Sequence, residues 1–68
     1  MNSEPLYRTV VHLIQRFEAK GLSNIALDIA ETWADINAKA TREQGIINKN
    51  LLDELYMQRI APYWTFLG

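Results

Sequence analysis

The sequence predicts an all-α fold: a three-helix bundle built on an antiparallel helical hairpin, with an apolar C-terminal tail. Three observations predict it. Apolar residues recur at three- and four-residue intervals from Leu6 to Phe17 and again from Leu22 to Ala40, the spacing of helices buried along one side. The stretch Ser23 to Gln44 has no Gly or Pro inside it, so nothing interrupts a long helix there. The turn Gly21-Leu22-Ser23 is too short to do anything but fold two helices back on each other.

The first helix is expected from Ser3 to about Lys20, after a frayed Met1 and Asn2. Ser3 can cap it, Glu4 suits the positive end of its dipole, and Pro5 falls in the first turn, where a missing N–H costs nothing. Gly21 is a good residue just past its end. Leu6, Val10, Leu13 and Phe17 form a seam that Tyr7, Val11 and Ile14 widen, while Arg8, His12, Gln15, Arg16 and Glu18 fall largely on the other side.

The second helix, Ser23 to Gln44, is the element around which the rest is organised. Ser23 is the expected cap, with Leu22 and Leu27 as a hydrophobic staple. Leu22, Ala26, Ile29, Trp33, Ile36 and Ala40 keep a near-heptad spacing that matches the first seam. Ala26, Ala30, Ala34 and Ala38 recur every four residues and suggest a shallow packing line. Asp28, Glu31 and Asp35 make an acidic row, and Asp35 with Lys39 is an i,i+4 pair. Gly45 is expected to end the helix, with Arg42 near its negative end.

Residues 46–50 read as a linker pinned by its two isoleucines. Asn48 and Asn50 are both cap candidates, and Asn50 is favoured because Asp53 and Glu54 then fall in the first turn. The third helix would run from Leu51 to Arg59 or Ile60 and stop before Pro62, burying Leu51, Leu52, Leu55, Tyr56 and Ile60. The tail Tyr63-Trp64-Thr65-Phe66-Leu67-Gly68 makes a poor free end in water and should fold back or dock on another chain.

Sixty-eight residues make one small helical domain, and 49% of them are apolar. A domain of this size buries only about 60% of its unfolded surface, so small scaffolds usually need a staple. With no Cys and one His, disulfides and structural zinc are not expected, and no cofactor is implied. Oligomerisation, as a homodimer, or a bound partner is the remaining common route. The formal net charge of −1 gives no electrostatic reason to expect nucleic acid or an anionic membrane. No segment has the roughly 20 apolar residues of a membrane span, and the N-terminus does not read as a signal peptide. The expected location is the cytoplasm.

Catalysis has little to work with. Ser3 and Ser23 are better explained as caps, His12 has no partner in sequence, and the three glycines do not form a phosphate loop. The seven basic residues are scattered among acids, which does not prepare a phosphate-binding face. A helix-turn-helix with its turn at Gly21 would present Asp28, Glu31 and Asp35 to DNA and repel it. One with its turn near Gly45 would offer Asn48, Lys49 and Asn50, although capping explains the asparagines more simply. The candidate protein-binding residues are therefore Trp33, the acidic row Asp28, Glu31 and Asp35 as an electrostatic steer, and the tail residues Tyr63, Trp64, Phe66 and Leu67. Aromatics dominate interface energies. His12 and Arg16, one turn apart, are a candidate polar rim.

Phe17-Glu18-Ala19-Lys20-Gly21, followed by Ala26 and Trp33, resembles small enterobacterial virulence regulators, the AraC negative regulator and PerC-like family. Glu18, Gly21 and Ala26 fit its Glu-x-x-Gly turn and the small residues that follow. Trp33 falls about a turn later, and the family's C-terminal Arg and Cys pattern is missing. The resemblance implies a small cytoplasmic protein that binds a transcription regulator and blunts its activity. The expected function is thus a non-enzymatic regulatory protein, bacterial or phage-borne, that binds another protein through an apolar helical surface. The alternatives are a DNA-binding helix-turn-helix regulator and an obligate small subunit or chaperone of a larger complex.

Overall fold

The computed structural model describes residues 4–41 and 45–67. Its elements are α1 (Glu4–Ala19), α2 (Ser23–Ala40), α3 (Lys49–Arg59) and a 3₁₀ helix (Ala61–Leu67). The chain is all-α, as its periodicity predicts. α2 is the central helix: α1 packs along it from one side and α3 from another, and the 3₁₀ helix packs on both α3 and α1.

The α1–α2 hairpin follows from the end of α1. The Gly21 N–H donates to the Glu18 carbonyl at 3.0 Å, and the Leu22 N–H to the Phe17 carbonyl at 3.0 Å. These are the two bonds of a Schellman reversal, which needs a left-handed residue, and Gly21 supplies it at φ +78°. The expected cap at Ser23 is not made. Ser23 lies inside α2 and Leu22 occupies the cap position, with no side-chain hydrogen bond there. The reversal leaves the Leu22 carbonyl to accept from the Ala26 N–H at 3.0 Å, so the backbone starts the helix one residue early. Leu22 and Leu27 are both exposed and pin nothing in the core. Ser3 lies outside the described residues.

The two seams close as their spacing predicts. Val10, Leu13 and Phe17 of α1 meet Ala26, Ile29, Ile36 and Ala40 of α2 in one core with Leu52, Tyr56 and Ile60, all buried. Leu6, Ile14, Leu51, Leu55 and Trp33 are partly buried against it. The alanine line does not behave as one packing row. Ala26 is buried and Ala30 half-buried, but Ala34 and Ala38 are exposed. Four residues turn a helix by about 400°, so the row winds off the core within two turns.

α2 stops at Ala40, well before Gly45. Thr41 is extended, with φ −81° and ψ 129°, and pairs with Ile47 in an isolated antiparallel bridge. The Ala40 carbonyl accepts from the Asn48 N–H at 2.8 Å, across the turn. The chain doubles back here, with Gly45 at φ +77° on the return limb. Arg42 and Gln44 lie outside the described residues. The cap of α3 is Asn48, whose side-chain oxygen accepts from the Leu51 N–H at 3.2 Å. The bridge brings Asn48, not Asn50, to the start of the helix, and α3 begins at Lys49.

α3 ends at Arg59, ahead of Pro62, as expected. The chain then tightens rather than extends. The Tyr63 N–H donates to the Ile60 carbonyl at 2.9 Å, and the Thr65 hydroxyl donates to the Pro62 carbonyl at 2.6 Å. Both are i,i−3 bonds, and they hold the tail in a 3₁₀ helix folded back on the bundle. Trp64 reaches α1 and α3 together. Its ring stacks on His12, with centroids 6.2 Å apart and planes at 20°, and its Nε1–H donates to the Tyr56 hydroxyl at 3.1 Å. No described helix is long and apolar enough to cross a membrane.

Candidate functional site

The reversal at Gly21 and the returning 3₁₀ helix leave a groove of about 330 Å³ between them, lined by Phe17, Leu22, Ile25, Asp28, Tyr63 and Phe66. Each wall has a local cause. Phe17 ends the α1 seam and is 1% exposed, so it forms the floor. Leu22 at the cap of α2, with Ile25 and Asp28 in its first two turns, forms the wall on that side. In a 3₁₀ helix residues three apart eclipse one another, so Tyr63 and Phe66 share one side of it, with ring centroids 6.2 Å apart. Tyr63 meets Phe17 edge-on, at 6.1 Å and 89°, a favoured aromatic geometry. Phe66 stands at the mouth, 75% exposed.

The groove is apolar except for one carboxylate and the Tyr63 hydroxyl. Its volume lies at the small end of the ~300–1,000 Å³ range of ligand pockets, room for a few side chains of a partner. The three acids of α2 differ in their surroundings. Asp35 is held by Arg59 of α3 at 2.7 Å and by Lys39 at 3.3 Å. The Arg59 guanidinium, then the Lys39 ammonium, hold its carboxyl below the ordinary carboxylate value. Asp28 lines the groove and has no ion-pair partner among the described residues. Glu31 is also exposed, but three residues on from Asp28 it is turned about 60° further around α2 and does not line the groove.

Of the eight residues selected from sequence, the fold brings Asp28, Tyr63 and Phe66 together at the groove. Glu31 is exposed outside the groove lining, and Asp35 is engaged by α3. Trp64 faces away from the groove, held by His12 and Tyr56. Trp33 and Leu67 are partly buried against the core. Sequence reasoning assigns Phe17 to the seam and Leu22 to a staple, and does not single out Ile25. The available signal was the i, i+3 run Leu22-Ile25-Asp28 beginning at the glycine turn. His12, a candidate polar rim from sequence, is the platform on which the Trp64 ring stacks. Among the described residues no group of three or more His, Cys, Asp or Glu side chains could hold a metal ion.

No protein-family model matches this chain, and no curated protein or solved structure matches it.

Proposed function

We propose that this chain is a small non-enzymatic regulatory protein that binds another protein through the apolar groove and modulates or inhibits it. The observation that carries the reading is Phe66. It is a large aromatic side chain, 75% exposed, at the mouth of a groove with two further aromatic rings in its walls. Interfaces draw most of their energy from a few such anchors seated in pockets, and an apolar surface rimmed by polar groups is the usual mark of an interaction site. The mechanism is occlusion: the groove face covers a surface that the partner needs for its own work or dimerisation. The resemblance carried by Glu18, Gly21 and Ala26 supports a transcription regulator as the partner. The proposal places the chain in the cytoplasm, a setting that suits a Cys-free sequence. A homodimer through the same face is the competing use of this surface.

The test compares the native chain with Phe66→Ser, immobilised side by side. Phe66 is mostly exposed, so circular dichroism of the two should agree. The native chain should retain a partner that the variant loses, and should inhibit that partner when added in solution. A protein held equally by both chains, or held without any change in its activity, refutes the proposal. Sizing of both chains across concentration reads out self-association directly.

A further inference from the structure

We infer that the 3₁₀ helix Ala61–Leu67 is a strap that docks and releases as one unit, with Trp64 as its latch, so that the groove exists only while the strap is closed. This concerns how the groove is built and stands apart from what fills it. The first observation is the origin of the walls. Tyr63 and Phe66 come from the strap, whereas Phe17, Leu22, Ile25 and Asp28 come from α1, the turn and α2. Without the strap the groove has no second wall.

The second observation is how lightly the strap is held. None of its residues is buried, while α1, α2 and α3 each contribute buried side chains to the core. Hydrogen bonds in a 3₁₀ helix have poorer geometry than those of an α-helix, and runs beyond three or four residues are uncommon. This one has seven residues, so it depends on the surface beneath it more than on its own backbone. Segments with few buried apolar contacts open before the rest of a domain does.

The third observation is where the hold is concentrated. Trp64 stacks on His12 of α1 and donates its Nε1–H to the Tyr56 hydroxyl of α3, which joins the strap to both helices at one point. Trp64 lies directly after Tyr63 and two residues before Phe66, within a segment tied together by i,i−3 bonds. Release at Trp64 therefore takes the wall with it, and uncovers Tyr56 and the part of Phe17 that Tyr63 meets. Whatever binds between α2 and the strap must hold the strap shut, and its affinity falls with the fraction of chains in which the strap is closed.

The experiment is native-state hydrogen exchange of the whole chain, followed by NMR at low urea. The amides of the 3₁₀ helix and the Trp64 indole N–H should share one opening step. Amide protection there should be at least tenfold below that of Leu13 and Ile29, and nearly independent of urea, because the step exposes little surface. Asn48→Ala removes the cap at the opposite end of α3 from the strap. It should lower protection at Leu13 and Ile29 by about fivefold and leave the strap unchanged, since closed and open chains lose the cap alike. His12→Ala, at an exposed position, and Tyr56→Phe each remove one partner of Trp64. Each should lower protection across the whole strap by about threefold to tenfold.

Strap amides with the same protection and urea dependence as Leu13 and Ile29 belong to the single unfolding step of the bundle, and overturn the inference. So does strap protection that falls in Asn48→Ala. If Tyr63 and Phe66 exchange separately from Trp64, the wall moves without the latch and the inference is wrong. It is wrong too if neither His12→Ala nor Tyr56→Phe changes the strap, or if the strap amides of the native chain are unprotected. The urea dependence of the native chain decides between one step and two without any substitution.

Discussion

Trp64 and Phe66 are two residues apart in one short helix, and they lead opposite lives. Trp64 is wedged between α1 and α3, stacked on His12 and hydrogen-bonded to Tyr56. Phe66 is 75% exposed. The cause is the period of the 3₁₀ helix. At three residues per turn, Tyr63 and Phe66 fall on one side while Trp64 and Leu67 fall on another. One apolar segment is thereby divided into a face that completes the fold and a face that lines a groove. Apolar composition by itself does not distinguish core from interface; the helical period does.

The largest effect should come from the residue beneath both faces. Phe17 is buried and also floors the groove under Tyr63. Phe17→Ala should cost about 3–5 kcal/mol, the usual range for a buried Phe, measured by urea denaturation of the isolated chain. A loss under about 1 kcal/mol would mean that the 3₁₀ helix does not lie on α1 as described. Trp64→Ala comes next. Trp64 is only partly buried, so about 2 kcal/mol is expected from lost packing and from a Tyr56 hydroxyl deprived of its partner. Phe66→Ala should stay within about 0.5 kcal/mol of the native chain. If the two substitutions destabilise equally, the division of the segment into two faces is wrong.

Much of the fold was legible because it depends on local period. The seams Leu6-Val10-Leu13-Phe17 and Ala26-Ile29-Trp33-Ile36-Ala40 are written in the spacing of apolar residues, and Gly21 marks the turn between them. The end of α2 was not legible, because it is set by contacts across the turn: the Thr41–Ile47 bridge and the Asn48 N–H on the Ala40 carbonyl. The alanine row misled because its four-residue repeat outruns the helical turn. The expectation of unhidden apolar area resolves into particular positions. Among the described residues the large exposed apolar side chains are Tyr7, Leu22, Leu27, Ile46, Met57 and Phe66. The site was half legible. Asp28, Tyr63 and Phe66 could be selected as candidates, but the groove they share needed the 3₁₀ geometry.

The same contrast between near neighbours recurs at the start of α3. Asn48 accepts the Leu51 N–H and also donates its own N–H to Ala40, while Asn50 is exposed inside the first turn. Asn48→Ala should lower stability by about 1 kcal/mol, the typical worth of an N-cap, or about 4–8 °C in Tm for a domain of this size. Asn50→Ala should leave thermal unfolding nearly unchanged. Reversed magnitudes would move the cap to Asn50 and with it the start of the helix.

The smallest effect belongs to Asp35, the acid that ties α2 to α3. Asp35 is held below its ordinary value of 3.8 by Arg59 first and Lys39 second. Between the lowered folded value and the unfolded one, the unfolded chain binds more protons, so stability rises with pH across that window. The contribution is complete above the unfolded value of 3.8 and is lost as pH falls through the folded value. Both partners are substantially exposed, so the increment is small and salt-sensitive. Asp35→Asn should flatten the acid limb of the native chain's stability curve at low salt. An acid limb that keeps its native slope in Asp35→Asn would mean that Arg59 and Lys39 do not hold this carboxylate in the folded chain.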